Sequence, residues 1–420
     1  MLLNSKQRKK NLLSVFCVAS LDNFGFGIVF VMFAPLILNP AYGLVGSDVA
    51  LGTKNMLLGL LFIAYPATQF FGAPLIGDIA DRFGRKKAFY LTIIGITFGY
   101  LLSAIAIAQH SLVWLFISRL ISGFCAGNLS ICLASIADLS PNEKNRARNF
   151  GFVSVIWGFT WPIAMVVGGY LSDSSISHYF SPSLPFYLTV AFALICLILI
   201  LTIFQETHKK ENGPKLDPIK GIHNVVQALR LPSLRRYFIV VLFWTLGWGL
   251  ALQWYGAISI EKFHVTQQAV SWGLVTQGVF WVFGGSVLNP ILIKRYPTKI
   301  VCLAGLAQAS IFVVLASLSN SFMLFTILYA LAAIGGPSSL SNALNLLSIT
   351  ASKSIQGKTM GLSQSMMALG WIFVPITGSI LGNLNMNLFF PIAAIALMLG
   401  WVLLAAKKSE RQSRSKIDRN

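Results

Sequence analysis

Twelve apolar runs, most of them about 20 residues or longer, recur along this 420-residue chain. A helix of that length, rising 1.5 Å per residue, crosses the roughly 30 Å hydrocarbon core of a bilayer. A backbone in that core has no water to bond, so each run must satisfy its own amides as a helix. The runs fall near 12–38, 55–76, 88–108, 112–137, 150–171, 185–205, 237–258, 268–292, 299–318, 321–349, 359–382 and 386–406. They predict an all-α membrane protein with 12 transmembrane helices. Composition agrees, with 55% of residues hydrophobic and only 11% charged, against about 25% charged in soluble domains. The basic start followed by apolar residues resembles a secretory signal. The apolar run continues past Asp22 to Leu38 without a small-residue cleavage site, so a retained first span is expected.

The net charge of +19 raises a nucleic-acid reading, which the placement of the charges excludes. Lys and Arg lie in short segments between the runs. With alternate crossings, 29 of the 32 fall on one side, Lys54 and Lys262 on the other, and Arg119 inside the fourth span. Basic residues stay on the cytoplasmic side during insertion, so both termini are expected in the cytoplasm. The lipid bilayer is the partner this charge implies. Five cysteines all lie in apolar runs with no metal spacing, and neither a disulfide, a metal nor a cofactor is expected.

The longest polar interval, 206–236, separates six spans from six. It is read as a cytoplasmic central loop between bundles at 1–205 and 237–406, with a basic cytoplasmic tail at 407–420. The halves also repeat. "FFGAPLIGDIADRFGRKKA" from Phe70 aligns with "FGGSVLNPILIKRYPTKI" from Phe283 at a shift of 213 residues. Gly72 meets Gly285, Arg82 meets Arg295, and Gly77 and Gly84 meet Pro290 and Pro297, read as turn former against turn former. Paired repeats place a binding site between them near the midplane, exposed alternately to each side.

"GDIADRFGRKK" between the second and third spans resembles the signature loop of the major facilitator superfamily. "RLISGFCAG" is similar to that family's fourth-span motif, and "ADLSPNEKNRARNFG", "PF" at 185–186, "QET" at 205–207 and "IGGPSSLSNA" fit its later landmarks. The likeness covers essentially the whole chain and is strongest to the drug:proton antiporter branch that includes tetracycline exporters. It implies two pseudo-symmetric six-helix bundles in a bacterial inner membrane, working as a monomer. One departure stands in the fifth span, where Ala164 and Met165 replace the Gly-Pro that the antiporter branch carries before Gly168 and Gly169. Pro162 lies about one turn earlier, Pro375 is its repeat partner in the eleventh span, and each proline is expected to interrupt its helix.

The signature loop is expected to act as a gate formed by Gly77, Asp81, Arg82, Gly84, Arg85 and Asp138. Glycine supplies backbone freedom and close approach. Asp81 can face the positive start of the eleventh span, which the family places there. Arg85 can reach Asp138 in a charge-assisted pair. The alternative is simple topology anchoring, which suits Lys86 and Lys87 better than Asp81, because an anchor needs no aspartate.

Within the spans the charges that stand out are Asp22 in the first and Arg119 in the fourth. Each costs roughly 2.5–3.5 kcal/mol on insertion scales and marks a pathway or a pair. If Arg119 approaches and leaves Asp22 as the protein changes shape, proton affinity tracks conformation; the alternative is a static ion pair. Substrate candidates share helix faces: Tyr65 with Gln69, Trp244 and Trp248 with Tyr255, Gln277 with Trp281, Ser338 with Asn342 and Asn345, and Gln364 with Trp371. Each residue alone suits packing or cavity lining equally. Together they suggest an aromatic cavity with few fixed charges, suited to a bulky, partly planar organic solute.

The function these features support is a secondary active transporter moving a small organic molecule by alternating access, as a proton-coupled exporter of a drug, siderophore or metabolite. The alternative is a proton-coupled importer of a siderophore or nutrient. A receptor on a transporter scaffold lacks an appended soluble domain. A membrane enzyme would need intramembrane histidines or paired acids, and His110, His178, His208, His223 and His264 are all read as loop residues.

Overall fold

The computed structural model describes residues 4–141, 143–207, 217, 219–351 and 356–406. Helices among them are α1 (Ser5–Leu38), α2 (Leu51–Phe83), α3 (Arg85–Ala108), α4 (Leu112–Phe124), α5 (Asn128–Leu139), α6 (Glu143–Leu171), α7 (Leu184–Thr202) and α8 (Lys220–Arg230). They continue with α9 (Arg235–Phe263), α10 (Gln267–Val282), α11 (Asn289–Arg295), α12 (Thr298–Ser317), α13 (Phe322–Thr350), α14 (Gln356–Leu384) and α15 (Phe389–Ala405). α4 with α5 make one crossing, and α10 with α11 make another through a π-helical turn at Phe283–Leu288. Eleven crossings are long and apolar enough to span a bilayer, and α6 supplies a further, shorter apolar stretch at Gly158–Leu171. The 12-helix architecture is therefore present.

α1 is the central post of the first half, packed on α5, α6 and α7; α9 holds the matching place against α13, α14 and α15. The halves meet along α2–α14, α6–α10 and α1–α9. The repeat is visible in atomic contacts. Gly72 lets α2 lie against the Phe124 carbonyl; its repeat partner Gly285 faces the Pro337 ring, and the adjacent Gly284 is the residue that lies against the Ile334 carbonyl. Gly84 and Pro297 each stand immediately before the helix that follows, α3 and α12.

Several expectations need correction. The fourth span is not one helix: it breaks at Cys125–Gly127. Pro162 and Pro375 do not interrupt α6 or α14, which run through them. The missing proline hydrogen bond is tolerated where neighbouring helices hold both sides. Gly77 and Pro290 are not turns, because both are inside helices. The interval 206–236 is not only loop, since it carries α8, and His223 lies on that helix. His208 and the tail at 407–420 lie outside the described residues.

The signature loop turns at one residue. Gly84 adopts φ 102°, a conformation that costs other residues about 1–3 kcal/mol. The Glu206 carboxylate then accepts from the amides of Arg85 at 2.9 Å and Lys86 at 3.0 Å, capping α3. Gly77, by contrast, has open space where a Cβ would be. Gly84→Ala should therefore lower stability by about 1–3 kcal/mol, while Gly77→Ala should leave it unchanged or raise it by up to ~1 kcal/mol. Thermal melting in detergent separates the two, and equal losses would contradict this assignment.

Candidate functional site

The break in the fourth span creates a polar point inside the first half. α5 starts at Asn128, in the middle of the crossing and beside Asp22. The Asn128 side-chain amide donates to Asp22 Oδ1 at 2.9 Å, and the Leu129 amide also reaches the carboxylate. Gln69 donates to the Ala126 carbonyl at 3.1 Å, so a carbonyl exposed by the break is satisfied by α2. Half-helix N-termini within a bilayer are suited to anionic groups.

Arg119 sits just before the break on α4 and is 1% exposed. Three rings surround its guanidinium, with centroids 4.9 Å away at Tyr65, 5.6 Å at Phe33 and 5.7 Å at Tyr100. The Tyr100 hydroxyl lies beside it. Nε and Nη1 have no partner among the described residues. Asp22 and Arg119 form no ion pair in this conformation, which argues against the static-pair reading; both lie within electrostatic reach of Tyr65 and Tyr100.

Next to this polar pair, an aromatic box joins the two halves. Phe26 lies within 6.0 Å of Tyr65 and 5.8 Å of both Trp161 and Trp371, measured between ring centres. Phe30 extends the box, 5.3 Å from Trp161 and 6.2 Å from Trp371. Asp22, Phe26 and Phe30 follow one another at four-residue spacing, on one face of α1.

Trp244, Trp248 and Trp281 form a separate ladder inside the second half. Trp248 stacks between Trp244 at 6.4 Å and Tyr329 at 5.6 Å, and Tyr329 continues to Tyr255 at 5.3 Å. Trp281 closes on Trp248 at 5.0 Å. Trp244 donates to the Ser339 hydroxyl at 2.9 Å and Tyr255 shares a 2.8 Å bond with Thr326, so their polar ends are spent within the bundle. Gln277 is buried with Oε1 unpartnered among the described residues. Asn342 ties α13 to Asn289 at 2.7 Å, and Ser338 reaches the Gly284 carbonyl at 3.4 Å, which stabilises the π-helical turn. Asn345 and Gln364 are exposed.

The two faces of the bundle differ. On the side opposite the start of α1 and the end of α15, the halves are stitched together. Tyr42 donates to Gln267 at 2.6 Å, Gln267 to Ser172 at 2.7 Å, Gln268 to Asp173 at 2.9 Å, and Asn55 to the Gly382 carbonyl at 3.2 Å. Hydrogen bonds from Ser175 and Gln268 hold the Asp173 carboxyl below the usual carboxylate range. On the side of the termini, Arg85 pairs with Asp81 at 2.6 Å and, more loosely, with Asp138 at 3.5 Å. Arg82 is exposed, with its guanidinium beside the Phe83 ring. A cleft of about 280 Å³ opens among Gly77, Ala80, Asp81 and Arg85 of the loop region and Ser130, Ile131 and Ala134 of α5. Residues 352–355, just before α14, lie outside the described residues. Among the described ones, Asp81 is bonded to Arg85 rather than to α14.

The family model described as the Major Facilitator Superfamily matches residues 15–298 and 257–420. The chain belongs to the major facilitator superfamily. Among curated relatives, the class H tetracycline resistance protein of Pasteurella multocida is 26% identical over 87% of this chain and 88% of its own length. Multidrug resistance protein 1 of Bacillus subtilis is 24% identical over 84% and 87% respectively. A D-xylose–proton symporter superposes with a TM-score of 0.75 at 16% identity, over 96% of this chain and 99% of that one, which shows the shared fold. As a major facilitator protein, the chain is a multi-pass membrane transporter, and its relatives are transporters rather than enzymes.

Sequence reasoning missed Asn128, Phe26, Phe30 and Trp161 in this transporter. A Gly-Asn pair inside an apolar run was the available signal for the break, and the four-residue spacing from Asp22 was the signal for the two phenylalanines. The ladder and the box should respond differently to truncation. Trp248→Ala empties a fully packed position and should cost about 3–5 kcal/mol. Trp371→Ala, at the half-exposed surface between the halves, should cost markedly less. Thermal melting of the two purified variants checks this, and a larger loss for Trp371→Ala would reverse the assignment.

Proposed function

We propose that this transporter exports a bulky, partly planar organic solute in exchange for protons. Asp22 is the proton carrier and the aromatic box is the solute site. The observation that carries the reading is their adjacency: Asp22 and Phe26 are one helical turn apart on α1, and Phe26 contacts rings from α2, α6 and α14. Rings of Phe26, Trp161 and Trp371 offer faces and edges to a planar solute. Arg119, with two donors unpartnered among the described residues, lies against the Tyr65 ring and opposes any cation lodged beside Asp22. Protonation of Asp22 and occupation of the box then compete for the same small volume, which is the requirement for exchange. Both halves rock about this site as bodies, with the termini in the cytoplasm, and a single chain suffices. The biased placement of basic residues supports that orientation.

Export is favoured over import by relatives named for tetracycline and multidrug resistance. The departure at Ala164 and Met165 does not remove the close seam between α1 and α6. Gly27 faces the Ala164 methyl, and Gly168 receives Val31, so the glycine needed opposite Ala164 is on α1. In everted vesicles, an imposed pH gradient should drive accumulation of labelled tetracycline or of a planar fluoroquinolone. Asp22→Asn should abolish that gradient-driven accumulation while leaving solute exchange at equal pH largely intact. Unchanged gradient-driven flux in Asp22→Asn would remove Asp22 from the mechanism, and flux that runs only with the proton would turn the exporter into an importer.

A further inference from the structure

The eighth span changes its winding part-way across the bilayer. α10 is regular to Val282, Phe283–Leu288 is π-helical, and α11 resumes the α-helix at Asn289. The Asn289 amide donates to the Gly284 carbonyl, five residues back, so this turn holds an extra residue. Pro290 follows and has no amide to offer the Ser286 carbonyl. Proline alone does not produce the turn, since α2, α6, α13 and α14 run through prolines as α-helix. What this span adds is a seat on α13. Gly284 lies against the Ile334 carbonyl and Gly285 against the Pro337 ring, and the Asn342 side chain donates to Asn289 at 2.7 Å. The repeat partner of Pro290 is Gly77, and α2 winds past it as a plain α-helix to Phe83. The first half therefore has no such turn at the matching place.

The span is supported differently on the two sides of the turn. Before it, α10 is clasped to α6 of the other half: Gly169 lies against Ser271, Gly278 against Pro162, and Gly158 against Val282, the residue that precedes the turn. Beyond it, α11 packs on α12 of its own half rather than on α6. No residue of α11 is buried, and five of its seven are exposed. We propose that the π-helical turn is a hinge on which α11 swings toward α6, closing the side of the termini while α10 stays clasped. This hinge presupposes the rocking of the halves proposed for transport and adds a moving part to it. An amide in a π turn can exchange the carbonyl five residues back for the one four back, so the axis bends without leaving a bond unmade in hydrocarbon. α11 is about 10 Å long, and a swing of roughly 30° carries its far end about 5 Å.

Pulsed electron resonance on the full chain in lipid nanodiscs, with the five native cysteines replaced by alanine, tests the hinge. Ile293→Cys on α11 paired with Val402→Cys on α15 should give two distances about 5 Å apart, whereas Ile300→Cys on α12 paired with Val402→Cys should give one. All three positions are exposed. Pro290→Ala supplies the missing amide and should collapse the first pair to a single distance. Asn342→Leu unties the turn from α13 and should change the ratio of its two components. A single 293–402 distance in the otherwise native chain, or an equal split in the 300–402 reference, would overturn the hinge. Two distances that ignore both substitutions would take the motion away from the π-helical turn. With tetracycline under acid conditions, the distance from Phe152→Cys on α6 should shorten more to position 293 than to position 300. Equal shortening would leave rocking without a hinge, and two constant distances would remove the rocking while the 293–402 pair still decides the hinge.

Discussion

A guanidinium in hydrocarbon has to be compensated where it stands, and Arg119 shows what that compensation demands. Three rings and one hydroxyl surround it, each cation–π contact contributing about 0.5–2 kcal/mol. Those rings come from α1, α2 and α3, so the cation organises the centre of the first half. The opposite charge, Asp22, is not delivered to it. Asp22 is held instead by a helix that begins inside the membrane, through Asn128 and the Leu129 amide. The half-buried acid and the buried cation are therefore each held by neutral groups rather than by one another.

The same economy of polar groups governs the surfaces between the halves. In a bilayer, apolar contact between helices gives no advantage over lipid, so a seam is held by close packing and hydrogen bonds. One face of the seam has them in number, from Tyr42 and Gln267 to Asn55 and Gly382. The opposite face has the Gly77 cleft and, bridging α2 and α14, the contacts of α8. The ladder of the second half is its counterpart: Trp244, Trp248 and Tyr329 are stacked and buried, and Trp244 is hydrogen-bonded to Ser339. Trp161 and Trp371 instead come from opposite halves and meet through Phe26 and Phe30 of α1.

The crossings were legible because membrane burial demands a signal 20 residues long, and the charge asymmetry, the repeat and the signature loop were legible beside it. The Arg85–Asp138 contact could be anticipated from charge and span order alone. The break at Cys125–Gly127 was not, because attention to prolines points to α6 and α14, whose helices survive them. The local signal there was the Gly-Asn pair at 127–128, whereas the donor that satisfies the freed Ala126 carbonyl, Gln69, lies 57 residues away. α8 was hidden by its setting among lysines and prolines, although Ile222, Val225, Val226 and Leu229 keep helical spacing. Phe26 and Phe30 were hidden for the opposite reason: in an apolar run an aromatic residue carries no contrast, and only the position of Asp22 on the same face distinguishes them. Helical spacing also grouped Trp244, Trp248 and Tyr255 correctly, but spacing cannot say whether a shared face looks toward its own bundle or the other.

The central claim is that the two ends of the α2–α14 seam are alternatives, one closed when the other is open. Distances between paired nitroxides at the two ends, measured by pulsed electron resonance in lipid nanodiscs, test it most directly. One pair is Leu51→Cys with Leu384→Cys, on the stitched side, and the other is Phe83→Cys with Gly361→Cys, beside the cleft. When acidification and added solute shift the population, the account predicts that the first distance lengthens as the second shortens, in the same fraction of molecules. Two distances that stay fixed, or that change in the same sense, would contradict it.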